Sequence, residues 1–300
     1  MIGRFGDRPD SAGTGLAEQL PDATHIKGVH LQVGDLQRSI DYYRRVLGLE
    51  VLERDRDRAA LGVAGAPHPL VRLAGKPGAA PVPRRGRFGL YHFAILLPDR
   101  AALGRFAAHL FALGLRPGMA DHDVSEALYL TGPDGLGIEV YADRPRASWK
   151  RNGAELVMTT DPLDIGSVLA AGEGKPWAGA PDGTTMGHVH LHVGDLVKAD
   201  AFYSALGFAK TVWSYPGALF FGAGGYHHHL GANVWSPGPS AGADEARLVE
   251  WELVVPGNDQ IEDVVRRLAA GGFAVDDAPD GVRTSDPWGT QVHITSENGR

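Results

Sequence analysis

The chain has 300 residues, a formal net charge of −7 and 43% hydrophobic residues, a size that suits two ordinary globular domains. The negative charge provides no basic surface for nucleic acid, and no apolar stretch approaches the roughly 20 residues that span a bilayer. The chain has no cysteine, which excludes disulfides, zinc–thiolate sites and thiol nucleophiles. Its first residues carry no apolar segment typical of a signal peptide, so we expect a cytoplasmic protein with no nucleic-acid or membrane partner.

Histidine is the unusual residue of this composition, with thirteen copies. Without cysteine, a metal ion would have to be held by imidazole and carboxylate groups. That donor set favours iron, manganese, zinc or nickel.

The first predicted unit covers 25–75 and is best seen in GVHLQVGDLQRSIDYYRRVLGLEV (28–51). An alternating apolar run predicts a strand. Asp35 then suits a helix N-cap, and an amphipathic helix ends at a Leu-Gly pair. Three further strand-like segments follow, so the unit is predicted to be βαβββ.

The same order of elements recurs three times along the chain. A looser copy at 87–143 begins with LYHFAILLPDR and ends with a strand, a Pro-Asp-Gly turn and a strand. A close copy at 187–236 begins with GHVHLHVGDL, in which His188, His190 and His192 share one strand face. The fourth copy covers 247–298.

These repeats predict an α+β protein of four βαβββ modules, and a repeat of this kind decides the fold. We expect an N-terminal segment at 1–24, a first domain at 25–143, a connector at 144–186 and a second domain at 187–298. The connector contains the glycine- and proline-rich stretch AGEGKPWAGAPDGTT, which is typical of a linker.

The arrangement resembles the vicinal-oxygen-chelate superfamily, whose modules pair into cup-shaped mixed sheets. Four modules in one chain are similar to the type I extradiol ring-cleaving dioxygenases, and in particular to the catechol 2,3-dioxygenase family. The strings GLYHFAILLPDR, VSEALYL, GPDG and YADRPR, together with GHVHLHV, carry this resemblance. It covers about 25–143 and 186–298.

The resemblance implies a metal held by two histidines and a glutamate. The family places its first ligand seven residues before the helix-capping Asp, which is His188 in the third module and Gly28 in the first. The second ligand begins a later module, and His92 matches it. The third is a glutamate after a Pro-Asp-Gly turn, which is Glu139.

The set His188, His92 and Glu139 requires the second and third modules to share one cup, within one chain or between two. An alternative set keeps all ligands in the C-terminal half. It combines His188 with Glu250 and His293, which stand at the matching positions of the fourth module.

The resemblance also implies groups that move protons. Tyr129, ten residues before Glu139, matches a tyrosine that orients and deprotonates the diol. His122 resembles a histidine that bonds the substrate hydroxyl, although its loop differs in length from the family's. In YHHHLGANVW, His228 matches the acid–base histidine, because it would share a strand face with Leu230.

We do not expect the remaining histidines to bind the metal directly. His190 and His192 are expected to line the cup or to donate hydrogen bonds to the ligands. His25, His68 and His109 have no motif around them and are expected to be structural.

The function implied is Fe(II)-dependent cleavage of catechol or a substituted catechol by O2, giving a 2-hydroxymuconic semialdehyde-type product. Mn(II) also suits the ligand set, and we expect a homo-oligomer. Two alternatives stay open on the same modules. One is a metal-dependent glyoxalase-type lyase or isomerase, and the other is a non-catalytic small-molecule binding protein of the bleomycin-resistance type.

Overall fold

The computed structural model describes residues 19–83 and 85–297, so most of the predicted N-terminal segment lies outside the described residues. All four modules have the predicted βαβββ order. The first two comprise β1 (His25–Val33), α1 (Leu36–Leu47), β2 (Glu50–Arg54), β3 (Arg58–Gly62) and β4 (Val71–Gly75), then β5 (Gly89–Leu96), α2 (Arg100–Ala112), β6 (Gly118–Asp121), β7 (Ser125–Thr131) and β8 (Gly137–Asp143).

The connector and the second half of the chain complete the set of elements. The connector holds β9 (Arg151–Asn152), β10 (Glu155–Leu156) and α3 (Ile165–Ala171). The third and fourth modules comprise β11 (Thr185–His192), α4 (Leu196–Leu206), β12 (Ala209–Val212), β13 (Ala218–Gly222) and β14 (Leu230–Asn233), then β15 (Arg247–Val255), α5 (Asn258–Ala270), β16 (Asp276–Ala278), β17 (Gly281–Ser285) and β18 (Gln291–Ser296).

The repeated Gly-Asp-Leu motif starts its helices as predicted. The Asp35 carboxylate accepts a hydrogen bond from the Arg38 amide, and Asp195 caps α4 in the same way. Both helices end at a glycine in the left-handed region, Gly48 with φ 69° and Gly207 with φ 111°. A side chain would be strained there, so the Leu-Gly pair is a physical stop signal.

The modules pair across the halves of the chain. Within each module the first strand lies parallel to the last, and the first strands of different modules then pair antiparallel. β5 pairs with β11, and β1 pairs with β15. We call the half of the sheet built from the second and third modules the 2/3 cup, and the half built from the first and fourth modules the 1/4 cup.

One sixteen-stranded sheet contains both cups, joined where β1 meets β11 at Ile26 and Met186. The second and third modules therefore share a cup within a single chain. Each cup takes one module from either side of the connector. The domain limits 25–143 and 187–298 remain a prediction. Strand pairing combines one module from each of these two segments in each cup.

The strand period separates an apolar face from a polar one. On β11, Val189 and Leu191 are fully buried in the main hydrophobic core, which they share with helix residues such as Phe202. His188 and His190 alternate with them along the strand. Because successive side chains point to opposite faces, the helices cover one face and leave the histidine face for a site.

The connector is structured, which differs from the linker expected from its composition. Helix α3 packs on α2 so closely that a Cβ added to Gly104 would lie 2.2 Å from the Val168 carbonyl oxygen. Leu156 on β10 joins a buried cluster with Val212 and Phe220 of the third module. Gly172 of the connector permits the same close approach, because a Cβ there would lie 2.5 Å from the Arg105 amide nitrogen.

Glu155 anchors the connector to the third module. Its Oε1 accepts hydrogen bonds of 2.6 Å from the backbone amides of both Trp213 and Ser214, and the residue is only 8% exposed. Replacing Glu155 by Ala leaves two amides without that acceptor. We expect the free energy of unfolding, measured by urea denaturation, to fall by about 2–4 kcal/mol. The exposed Glu173→Ala is the matched control and should change it by less than about 0.5 kcal/mol; equal effects would contradict the anchoring role.

Among the described residues, no helix is both long and apolar enough to cross a membrane.

Candidate metal centre and active-site cavity

Three adjacent strands bring His92, Glu139 and His188 to one face. Ala94 on β5 stands opposite Glu139 on β8 and opposite His188 on β11. His92 precedes Ala94 by two residues, so it points to the same side. Sheet register alone therefore gathers side chains that lie far apart along the chain.

The three side chains meet at one carboxylate oxygen. Glu139 Oε2 lies 3.0 Å from His92 Nε2 and 3.2 Å from His188 Nε2, and the three candidate ligand atoms lie within 4.8 Å of one another. All three residues are at most 5% exposed. His92 Nε2 is buried and makes no well-oriented hydrogen bond, so a ligand-competent nitrogen lies beside the carboxylate.

Burial and charge favour the protonation states that a metal needs. Burial would raise the pKa of Glu139, but the imidazoles of His188 and His92 outweigh it and hold the pKa well below its usual range. Burial lowers the pKa of His188 to about 4, although Glu139 opposes this. Ligands bind metal as neutral imidazole and ionised carboxylate, and two histidines with one carboxylate leave open coordination positions. The residues present therefore fit a divalent iron or manganese ion.

Tyr129 and His122 form a hydrogen-bonded pair beside this group. Tyr129 on β7 stands opposite Glu139 in the sheet, and its hydroxyl lies 2.6 Å from His122 Nε2. His122 Nδ1 lies 2.5 Å from the carbonyl oxygen of Thr159. A carbonyl only accepts, so Nδ1 carries the proton and Nε2 accepts from the phenol. Burial, followed by the charge of Glu139, raises the pKa of Tyr129 well above its usual value.

His228 lies on the other side of His188, with 4.1 Å between the two ring centroids. Residues 227–229 form the loop that leads into β14, so the prediction that His228 and Leu230 share one strand is wrong. His228 nevertheless lines the cavity described below. Burial, together with His188 and His227, holds the pKa of His228 well below its usual value.

His190 and His192 have different surroundings. His190 is buried, and a Cβ added to Gly231 would lie 2.8 Å from its ring. Glycine at 231 is therefore what lets the ring lie flat on the neighbouring strand. His192 is half-buried, and its Nδ1 lies 2.7 Å from Asn233 Oδ1. His190 lines the cavity, and neither residue belongs to the group of three.

All six predicted site residues line one cavity of about 380 Å³. The rest of its wall is mostly apolar and aromatic: Tyr91, Gly118, Met119, Ala120, Met158, Thr159, Thr160, His190, Tyr215, Phe220 and Trp235. Within the described residues, no lysine or arginine lines it. The sequence missed 158–160, which belong to the connector and carry no periodic or motif signal.

Glu250 and His293 lie in the other half of the sheet, the 1/4 cup. Glu250 Oε2 accepts a hydrogen bond of 2.6 Å from Arg283 Nε, and His293 Nε2 lies 2.9 Å from Asp280. Arg283 stands opposite His293 as Tyr129 stands opposite Glu139. The guanidinium of Arg283 thus pairs with Glu250 in the 1/4 cup, whereas no arginine or lysine of the described residues lines the cavity of the 2/3 cup.

The alternative ligand set is not brought together. In the described residues, 19–83 and 85–297, His92, Glu139 and His188 are the one group of three His, Asp or Glu residues with ligand atoms within 4.8 Å. His188 therefore has its potential co-ligands in the 2/3 cup.

Comparison with known proteins agrees with this fold. The family model of the Glyoxalase/Bleomycin resistance protein/Dioxygenase superfamily matches residues 24–140 and 185–294. A catechol-2,3-dioxygenase of Bacillus subtilis is 42% identical over 270 residues, which cover 88% of this chain and 94% of that protein.

Solved structures support the fold at lower identity. A crystal structure of another Bacillus subtilis protein has a TM-score of 0.64 at 16% identity and covers 91% of this chain and 85% of that one. Glyoxalase I from Zea mays has a TM-score of 0.54 at 18% identity, with coverage of 92% and 93%. The chain belongs to the Glyoxalase/Bleomycin resistance protein/Dioxygenase superfamily, and within it the chain is a homologue of catechol 2,3-dioxygenase.

Proposed function

We propose that this protein is an Fe(II)-dependent extradiol dioxygenase that opens the ring of catechol or a substituted catechol with O2. The observation that carries the proposal is the convergence of His92, Glu139 and His188 in one cavity with Tyr129, His122 and His228. The similarity to a catechol-2,3-dioxygenase supports the same activity.

The three proposed ligands would hold the metal. Iron(II) bound there would supply a Lewis acid for the diol and a path for electrons from the diol to O2. Mn(II) suits the same donors. Both oxygen atoms enter the ring-opened product, a 2-hydroxymuconic semialdehyde, so the overall reaction needs no external reductant.

Tyr129 and His122 are placed to take a proton from the diol. Because the Tyr129 hydroxyl donates to His122 Nε2, its oxygen lone pairs are free to accept a hydrogen bond from a substrate hydroxyl. A proton received there can move on to His122 Nε2. The Thr159 carbonyl holds His122 Nδ1–H, and this bond orients the ring for that transfer.

His228 is placed for the second proton transfer. Its Nε2 makes no hydrogen bond to the described residues, while its Nδ1 is held by His227. A neutral imidazole with a free nitrogen in the cavity can accept a proton from the substrate and return it to the product.

The cavity suits a neutral aromatic ring. A cavity of about 150 Å³ is enough for a benzene ring in a protein core, so about 380 Å³ leaves room for a substituent. Met119, Met158 and Phe220 give the cavity apolar walls, and no lysine or arginine of the described residues lines it to pair with a carboxylated ring. The expected substrates are therefore catechol and its alkyl derivatives.

The test is oxygen uptake by the iron-loaded protein. We expect protein reconstituted with Fe(II) to turn catechol and 4-methylcatechol into yellow semialdehydes, with one O2 consumed per diol. Resorcinol, whose hydroxyls cannot chelate one metal, is the control and should give no uptake. A parallel sample with Mn(II) decides the metal. Bound iron with no uptake on any of these catechols would overturn the proposal and favour a lyase.

The cytoplasmic location and the homo-oligomeric state expected from the sequence belong to this proposal. Size-exclusion chromatography of the purified protein tests the second.

A further inference from the structure

We propose that Asp143 and His227 are positioning residues that hold His228 with its Nδ1 protonated and its Nε2 bare toward the cavity. This inference rests on the proposed function for its purpose, because His228 transfers a proton only if a substrate reacts beside it. Its structural content, one fixed tautomer and orientation, can be measured without turnover.

A continuous chain of contacts links the three residues. Asp143 Oδ1 lies 2.9 Å from His227 Nε2, and His227 Nδ1 lies 2.7 Å from His228 Nδ1. His227 is fully buried and His228 is 5% exposed. The contact between the two imidazoles is therefore shielded from bulk water, whereas the Asp143 side chain is 26% exposed.

The chain of contacts has one direction when each ring carries one proton. A carboxylate only accepts, so His227 Nε2 donates to Asp143. His227 Nδ1 is then bare and must accept, so His228 Nδ1 is the donor. His228 Nε2 consequently carries no hydrogen, and among the described residues it has no hydrogen-bond partner.

Asp143, the acceptor at the end of this chain of contacts, also receives a hydrogen bond from a second donor. The Tyr226 hydroxyl lies 3.3 Å from Asp143 Oδ1 and 2.7 Å from the Tyr141 hydroxyl. Asp143 ends β8, whereas residues 226–228 lead into β14. The carboxylate of one module thus orients the histidine of another, across the cup that they share.

The orientation matters because a histidine can present either nitrogen to a substrate. Without an acceptor at Nδ1, the ring of His228 can turn or change tautomer, and Nε2 then points a hydrogen at the cavity. A carboxylate that sets the tautomer of an acid–base histidine is a general device in enzymes. We therefore expect loss of this carboxylate to lower turnover, whereas binding of the substrate and the metal is retained.

The first test reads the tautomer directly. Protein labelled with ¹⁵N-histidine and loaded with Zn(II) is compared by two-bond ¹H–¹⁵N correlation with the His228→Gln variant, which identifies the His228 signals. We expect the Nδ1-protonated tautomer in the wild type and a mixture or the opposite tautomer in Asp143→Asn. An Nε2-protonated His228 in the wild type would overturn the proposal.

The second test uses two replacements of His227 that differ in which contact they keep. The amide oxygen of His227→Asn can take the place of Nδ1 and accept from His228. The longer His227→Gln can reach Asp143 but leaves His228 Nδ1 without an acceptor. We expect kcat to fall by about 10- to 100-fold in His227→Gln and to be partly rescued in His227→Asn, with KM and iron content unchanged. The reverse order would contradict the proposal.

A double-mutant comparison separates positioning from general structural damage. Asp143→Asn should lower kcat in the wild-type background and cost less than about twofold more in the His228→Gln background, because residues acting as a unit are not additive. Equal factors in both backgrounds would overturn the role. His229→Gln, in the same loop but with its ring packed against Phe208, is the packing control, and its kcat is expected to stay within about twofold of wild type.

Failure of the proposed function would be distinct from failure of this inference. A wild-type protein that cleaves no catechol contradicts the function. The opposite tautomer, or additive losses in an active enzyme, contradicts the role of Asp143 and His227.

Discussion

Glu139→Gln is expected to abolish iron retention and to lower ring cleavage by more than about 100-fold. Even outer hydrogen-bond partners of metal ligands typically cost about 10- to 100-fold when removed, and Glu139 Oε2 is the atom on which His92 and His188 converge. The neutral amide keeps the shape but removes the charge that a divalent cation needs. Iron content after dialysis and oxygen uptake with catechol are the measurements.

A pair of histidine variants serves as the control and separates the two ligand sets. His92→Ala should lose iron as Glu139→Gln does. His293→Ala, at the position in the 1/4 cup that corresponds to Glu139, should retain iron because its partners are Asp280 and Glu250. Loss of iron from His293→Ala with retention in His92→Ala would refute the proposed ligand set.

His228→Gln is expected to keep its iron and lose turnover. General acid–base catalysis typically contributes about 10²- to 10⁴-fold, so kcat should fall in that range while KM for catechol changes little. The amide has similar size and polarity but cannot take up and return a proton near neutral pH. Single-turnover kinetics at matched iron content measure the effect.

The neighbouring His229→Gln is the matched control for that variant. His229 Nδ1 accepts a hydrogen bond from the Ala223 amide, and its ring packs against Phe208, away from the cavity. We expect lower stability and an unchanged kcat per folded enzyme. An equal loss of kcat in both variants would show that disturbance of this loop, and not proton transfer by His228, explains the result.

The modules could be predicted from the sequence because their signals are local. The alternation of Val189 and Leu191 with histidines defines a strand with one apolar face. Asp195 and Gly207 mark the ends of the following helix. Capping and backbone preference act within a few residues, so a single repeat carries them.

Two of the three proposed metal ligands could also be predicted from the sequence, because they lie in one module. His92 and Glu139 lie in one module, whose first and last strands are parallel neighbours. The Pro-Asp-Gly turn fixes the register of the last strand, so the family pattern located both residues. The sequence also restricted any metal ligands to histidine and carboxylate, because the chain has no cysteine.

The tertiary structure alone decided which modules share a cup. His188 joins His92 and Glu139 because β11 pairs with β5, whereas the pairing of β1 with β15 places Glu250 and His293 elsewhere. Pairing between distant strands depends on packing of whole modules, and no local pattern encodes it.

The part of the cavity wall that the connector forms could not be predicted from the sequence for the same reason, and neither could the contacts between Asp143, His227 and His228. Met158 lies in an irregular segment, and Asp143 meets His227 across 84 residues of chain. By itself, the sequence determined the modules, their caps and the type of metal ligand, because short-range backbone and side-chain preferences set these. The tertiary structure decided how the modules pair and what surrounds the metal ligands, because those depend on contacts between parts of the chain that folding alone brings together.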